Sequence, residues 1–346
     1  MTESQKDIRI VVPAFKAGKT IQKCIEAILG SKGFHKNWEI IIVDNGQNPG
    51  IFDLLKSYPV TVLERDKCQS AAYARNEGAK GFSDGILIFI DSDVICERNC
   101  IIELIKPLQN GLCNATIGNY SGNYNGLSFS QKYKQLYINH IYSREGSNIK
   151  NDFWTAICSV DVKIFNNLKG FNTNFNGANG EDQEFGIRLT KNGYSVLSVN
   201  KANGQHLNPY GVHNIIRNDL KKGLMAVKNS LENKVPFSDN RHSKKQDILS
   251  VFFAVLTITF LTLIPVYFVF LSASISSFLL WFICRIDLCK RFFKNGGILF
   301  FISALMLMYT LDLVRCICVI VGVSKNILYK RSFELKESEI PIPVKG

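Results

Sequence analysis

Short apolar runs alternate with amphipathic stretches through the first quarter of the chain. Ile8 to Val12 is a largely apolar run ending at Pro13, the pattern of a buried strand stopped by a residue that cannot donate to the ladder. From Thr20 the apolar positions move to helical spacing, with Ile21, Cys24, Ile25, Ile28 and Leu29 on one face and Gly30 closing the segment. Trp38 to Val43 predicts a second strand, with Asp44 at its C-terminal end. The same rhythm predicts a helix near Ile51 to Ser57, a strand near Val60 to Leu63, a helix over Ser70 to Gly81 and a strand over Gly85 to Ile90. Strands alternating with helices imply an α/β class with a mostly parallel sheet and right-handed crossovers. Ligands bind outside the carboxyl ends of such strands, where Asp44, Asp91 and Asp93 all fall.

The rhythm weakens after residue 120, and the Gly, Asn and Tyr content of Gly118 to Gly126 reads as a mobile loop. A helix near Ser130 to Ser143, a strand near Phe153 to Ser159 and a helix over Glu181 to Asn192 follow. Between Asn214 and Leu231, Ile216, Leu220, Leu224 and Val227 share one helical face, and Arg217, Lys221, Lys222 and Lys228 decorate the rest. Such a helix either packs on the domain or lies in a lipid headgroup layer. The uncharged stretch 248–284 is nearly twice the roughly 20 residues that one membrane crossing takes, which predicts a hairpin turning near Ser272 to Ser277 with Pro265 kinking its first arm. Ile298 to Val323 is long enough for one more crossing, although Asp312 and Arg315 lie inside it. The expected organisation is a catalytic domain over 1–213, an amphipathic juxtamembrane segment over 214–247, two or three transmembrane helices over 248–324 and a polar tail over 325–346.

Arg285, Lys290, Arg291 and Lys294 predict a cytoplasmic flank after the hairpin. Lys325, Lys330 and Arg331 predict the same side for the tail, which conflicts with three crossings. The net charge of +12 therefore fits membrane lipid or a phosphorylated substrate. No basic run interleaved with aromatics marks a nucleic-acid partner. The ten cysteines follow no signal-peptide pattern and none of the spacings of a zinc site, so they read as thiols in a reducing compartment.

The chemistry concentrates in two places. Asp91-Ser92-Asp93 follows a buried apolar run, and two hard oxygen ligands there suit Mg²⁺ or Mn²⁺ held against a diphosphate. Glu181 and Asp182 open a helix after the Gly-rich run Asn176 to Gly180; acids in a first turn complement the helix dipole, and beside a diphosphate site one of them can act as a general base. No G-x-G-x-x-G follows the first strand, which excludes a dinucleotide site of that kind.

Six segments in order, Ile8 to Phe15, Ile41 to Asn45, Ala74 to Gly78, Asp91 to Asp93, Lys169 to Phe171 and Gly180 to Phe185, resemble the inverting glycosyltransferase family 2 with its GT-A fold over roughly residues 7 to 215. The resemblance implies an α/β GT-A nucleotide-diphospho-sugar transferase domain followed by C-terminal transmembrane helices. It puts Pro13, Phe15, Asp44, Arg75, Asp91 and Ser92 on the donor, with Asp44 toward the nucleoside. Asp91 and Asp93 would serve ribose and metal, His206 matches a position that some members use as a third metal ligand, Asp182 would be the catalytic base, and Glu181 would lie on the acceptor side. Asn45 departs from a family pattern that often has a second acid there.

No Gln-x-x-Arg-Trp follows Glu181-Asp182, unlike the processive synthases, and Asp91 to Ile95 lacks the Asp-x-Asp-x-Gln of enzymes that act directly on polyprenyl phosphate. The expectation is metal-dependent, non-processive transfer of a sugar from a nucleotide-sugar donor to a lipid-linked saccharide, by a multi-pass membrane protein with its catalytic domain on the cytoplasmic side. The alternatives are transfer to polyprenyl phosphate itself and a catalytically silent sugar-nucleotide-binding scaffold.

Overall fold

The computed structural model describes residues 7–46, 49–65, 69–120, 124, 126–143, 148–149, 152–175, 180–207, 211–233 and 245–338. Residues 176–179 of the Gly-rich run, most of 121–126, Cys68 and the tail beyond 338 lie outside them. Four strands form the parallel half of the sheet: β1 (Ile8–Ala14), β2 (Glu39–Asp44), β3 (Thr61–Glu64) and β4 (Ile86–Ile90), with β3-β2-β1-β4 adjacent in that order. Helices α1 (Ile21–Leu29), α2 (Ile51–Leu55) and α3 (Ala71–Ala79) make the crossovers. Strand β1 continues through Pro13 to Ala14, because its pairing with β4 ends at Val11 and leaves Pro13 with no ladder partner on that side. The strand order reverses between β1 and β4, so a crevice opens at their carboxyl ends.

The sheet then turns mixed. Strand β5 (Val94–Cys96) and helix α4 (Cys100–Gln109) lead to β6 (Ala115–Tyr120), helix α5 (Phe129–Ser143) and the short β7 (Asn148–Ile149). Strand β8 (Ile157–Asp161), helices α6 (Val162–Asn167) and α7 (Glu181–Lys191), and β9 (Val196–His206) complete the domain. β8 pairs antiparallel with β4 and β6, and β9 runs parallel to β6 and antiparallel to β5. Gly118 to Tyr120, expected in a loop, belongs to the wholly buried β6, where a register shift between Ile117 and Asn119 breaks the pattern that a strand would otherwise show.

Helix α3 is pressed onto the sheet at Gly78, where a Cβ would collide with Val11 and stand 3.1 Å from Cγ2 of Val43. Beneath β4 and α7, Phe89, Phe153, Phe165, Phe171 and Phe185 pack with centroid separations from 4.8 to 6.4 Å. Each buried ring contributes about 1.5–3 kcal/mol by leaving water. The nine cysteines among the described residues are all free thiols.

Beyond the sheet, α8 (Val212–Asn233) leads to the apolar region, where α9 (Lys245–Leu263) and α10 (Val269–Cys284) form a hairpin. The turn falls at Pro265, between the helices, and Ser272 to Ser277 lie inside α10. Pro265 ends the first arm because it cannot supply an intrahelical N–H and crowds the preceding turn. Helix α11 (Ile286–Ser338) is broken at Gly297, whose φ of 73° no helix tolerates. Two helical stretches, Lys245–Leu263 and Ile286–Lys325, are long and apolar enough to cross a membrane, with mean hydropathy 1.8 and 2.1.

The second of these lies along the domain. Phe300 packs 5.3 Å from Phe129 of α5, and Arg315 donates to Tyr137 Oη of α5 at 2.9 Å and Asp219 Oδ2 of α8 at 3.1 Å. Asp312 accepts from Arg315 Nη1 at 2.9 Å, from Arg285 Nε at 3.0 Å and from Trp281 Nε1 at 2.9 Å, while Arg285 also pairs with Asp247. This buried chain of charges ties the hairpin base to α11, α8 and α5. Replacing Arg285 by Met leaves Asp312 and Asp247 buried without their shared cation, and is expected to cost about 3–5 kcal/mol. Thermal unfolding in detergent micelles reads the loss; an unchanged midpoint would mean the network is dispensable.

Candidate active site

The helix sequence Ala74-Arg-Asn-Glu-Gly78 organises the site one residue at a time. Arg75 is buried and donates from Nη2 to Asp91 Oδ1 at 2.8 Å and from Nη1 to Glu181 Oε1 at 3.0 Å. Asn76 donates to the carbonyl of Phe171 at 2.8 Å and accepts from the Phe171 N–H at 2.9 Å, which holds the Lys169-Gly-Phe171 turn. Glu77 pairs with Arg65 and with Lys80, and Gly78 lets the helix touch β1. Burial alone would lower the Arg75 pKa, but Asp91 and Glu181 outweigh it and keep the guanidinium charged. Burial holds the Asp91 and Glu181 carboxyls above the usual carboxylate range, against the pull of Arg75.

Asp91 and Asp93 sit in a tight turn, not on alternate positions of a continuing strand. The Asp91 N–H donates to Ala156 at 3.1 Å and the Val94 N–H donates back to Asp91 at 3.0 Å, which swings β5 across to β9. Val94 then stands opposite His206, and His206 Nε2 is 3.3 Å from Asp93 Oδ2. The Tyr120 ring lies edge-on to His206 at 5.5 Å. Two carboxylates and an imidazole are a donor set that suits Mn²⁺ or Mg²⁺. Among the described residues no three His, Cys, Asp or Glu side chains converge as a complete cage, so diphosphate oxygens and water would have to finish the shell.

A cavity of about 540 Å³ opens beside this corner. Asp91, Asp182 and His206 line it together, from β4, α7 and β9. Asp182 follows Gly180, a left-handed N-cap, and accepts from the Gln183 N–H at 2.8 Å. Glu181, expected on the acceptor side, does not line the cavity: it is 2% exposed and turned inward onto Arg75. Arg75, expected on the donor, also faces inward, behind Asp91. On the other side of the crevice, Asp44 is buried at the end of β2 and accepts from the Gly46 N–H at 3.2 Å. Pro13 stands in β1, Phe15 is half-exposed just beyond it, and Ser92 is buried in the turn. Asn45 accepts from the Gln69 N–H at 3.0 Å and donates to the Gln69 carbonyl at 2.7 Å. An amide can do both and an ionised carboxylate cannot, which favours Asn over a second acid here.

Several cavity residues carried no sequence signal. Asp152 lines it because Gly186 lets α7 approach the backbone of residues 152 and 153, where a Cβ would lie 2.7 Å from Phe153 N. Trp154 lines it too, stacked on Tyr142 at 4.7 Å and edge-on to Tyr120 at 4.8 Å. Lys134 of α5 and Lys222 of α8 also line it. Of these, only Lys222 stood out in the sequence, as one of the basic residues of the amphipathic stretch 214–231.

A family model described as glycosyl transferase family 2 matches residues 9–167, and one described as the N-terminal domain of galactosyltransferase matches residues 142–212. Glycosyltransferase AglE of Haloferax volcanii is 22% identical over 218 residues, 61% of this chain and 70% of its own length. The UDP-Glc:alpha-D-GlcNAc-diphosphoundecaprenol beta-1,3-glucosyltransferase WfgD of Escherichia coli is 28% identical over 116 residues, 33% of this chain and 45% of its own length. The solved mannosyltransferase PcManGT from Pyrobaculum calidifontis, in complex with GDP-Man and Mn²⁺, shares the fold with a TM-score of 0.54 at 12% identity, covering 92% of this chain and 88% of that one. The ordered motifs and the family match make residues 9–167 a glycosyltransferase family 2 domain, and the shared fold is that of a GT-A glycosyltransferase.

Proposed function

We propose that the protein transfers one sugar per encounter from a nucleotide-sugar donor to a hydroxyl of a lipid-linked saccharide, with inversion and with Mg²⁺ or Mn²⁺. The observation that carries the reading is a single cavity in which Asp91, Asp182 and His206 face apolar helices. In this reading the donor lies over the carboxyl ends of β1, β2 and β4, with Asp44 toward its nucleoside and Pro13, Phe15 and Ser92 beside it. Asp93, His206 and Asp91 would hold a divalent cation together with diphosphate oxygens and water, and it would supply charge neutralisation for the departing diphosphate.

Asp182 takes the proton of the acceptor hydroxyl as that oxygen attacks the anomeric carbon from the face opposite the diphosphate. The bond from the anomeric carbon to the diphosphate oxygen breaks, its electron pair leaves with the nucleoside diphosphate, and the configuration inverts. Exposure favours Asp182 over Glu181 as the base, since Glu181 is sealed against Arg75. Arg75 and Glu181 are positioning residues: they fix the 91–93 turn relative to the start of α7.

Helices α9 and α10, about 28 and 24 Å long at 1.5 Å per residue, match a hydrocarbon layer of about 30 Å. A hairpin inserted from the domain side, with α11 along its base, puts Lys245, Arg285, Lys290, Arg291 and Lys294 on one face of the bilayer. That arrangement removes the conflict between crossing number and charge, and by the positive-inside rule that face is cytoplasmic. Anchoring also raises the enzyme's effective concentration near a lipid-borne acceptor. The name of WfgD, a relative acting on a diphosphoundecaprenol-linked sugar, supports the acceptor class.

Asp182→Asn is expected to lower transfer by about 10²–10⁴-fold while leaving nucleoside diphosphate binding intact. Release of nucleoside diphosphate from UDP, GDP and dTDP sugars, with lipid-linked saccharide present, measures it; equal rates in both proteins would remove Asp182 from the mechanism. Arg75→Met should cost about 3–5 kcal/mol of stability by stranding the buried Glu181. Adding Glu181→Gln should recover part of that loss in thermal unfolding, whereas additive losses would show that the two side chains are not coupled.

A further inference from the structure

The cavity lining is of three kinds: Asp91, Asp152, Asp182 and His206; the lysines Lys134 and Lys222; and apolar side chains, among them Ile248, Val251 and Phe252 of α9 and Val319 and Ile320 of α11. Phe252 is 56% exposed and Ile320 60%, so these walls are open rather than packed. Lys134 is half-buried over the Tyr137 ring, its Nζ 5.9 Å from the centroid. Neither lysine pairs with a carboxylate among the described residues. The neighbouring Asp219 is committed to Arg315, and Arg315 spends its donors on Asp219, Asp312 and Tyr137.

Two ammonium groups near enough to repel each other, neither in a direct ion pair among the described residues and both lining a cavity that is polar in part and apolar in part, fit an anion carried on a hydrocarbon chain. We propose that Lys134 and Lys222 bind the diphosphate of a lipid-linked acceptor whose chain runs between α9 and α11; this deepens the lipid-linked acceptor reading and rests on it. With the diphosphate on the lysines, the sugar it carries extends toward Asp182 and the tail toward the bilayer. Burial pushes the Lys134 ammonium down to about 8; Lys222 adds to that by repulsion, Asp219 opposes it, and Arg315 reinforces it. A bound diphosphate would relieve that repulsion, so the site is arranged to favour an occupant of two or more negative charges.

The test uses the full chain in detergent micelles with farnesyl diphosphate as probe. Lys134→Met or Lys222→Met should each weaken its binding by about tenfold, and the pair by about a hundredfold, while nucleoside diphosphate binding stays unchanged. Lys134→Arg should rescue affinity and, being charged at all accessible pH, should keep it flat from about pH 7 to about pH 9, where the wild type loses affinity as Lys134 deprotonates. Unchanged farnesyl diphosphate affinity in the double variant overturns the proposal. So does equal competition by inorganic diphosphate, the mark of a free-anion site, or by phosphatidylglycerol vesicles, the mark of a general headgroup site. If the lysine variants bind normally but Asp182→Asn abolishes transfer, this inference fails alone; if Asp182→Asn transfers at the wild-type rate, the catalytic reading fails instead.

Discussion

A buried guanidinium is tolerable only when carboxylates meet it, and at this site that constraint orders the rest. Arg75 draws Asp91 and Glu181 onto its two terminal nitrogens from segments 16 and 106 positions away in sequence. Breaking such a contact strands a charge in a medium that solvates it poorly, so the strand-end turn and the first turn of α7 are held in one relation. The next residue, Asn76, extends the same helix's reach to Phe171, whose ring belongs to the aromatic cluster under α7. Adjacent residues of a helix point about 100° apart, so with Glu181 committed inward its neighbour Asp182 turns toward the cavity. The pair of acids thus divides into a positioning group and an exposed one without any further device.

The parallel half of the domain was legible because burial on both sheet faces writes continuous apolar runs, and because strand ends carry their acids openly. Asp91 and Asp182 lie in the ordered motifs for the same reason, and they line one cavity with His206: each is a polar residue near the end of an element. Residues whose role depends on close approach left no such trace. Asp152 reaches the cavity through the absence of a side chain at Gly186, and Glu181 and Asp182 read identically until Arg75 is in place. Asn45 looked like a lost acid, yet its amide closes a two-way hydrogen bond with Gln69 that a carboxylate could not make. In the β6 region a register shift cancelled the alternation, and loop composition filled the gap.

In the apolar region the turn falls elsewhere than the sequence predicts. Serines in α10 satisfy their hydroxyls within the helical framework, Ser272 on Val269 and Ser274 on Thr257 of α9, so they do not mark a break, whereas Pro265 does. Helix α11 poses the harder case, since both its faces are apolar and periodicity therefore says nothing about orientation. Its protein-facing side holds Ala304, Leu307, Met308, Leu311, Asp312 and Cys318, all buried, while Leu299, Ile302, Met306, Ile317 and Ile320 are open. Charges within an apolar helix must find partners in protein rather than lipid. Asp312 and Arg315 therefore identify the side that meets the domain, and the opposite apolar side stays open, with Val319 and Ile320 lining the cavity alongside residues of α9. The two charged residues that made a third crossing costly are the ones that bind this helix to the catalytic domain.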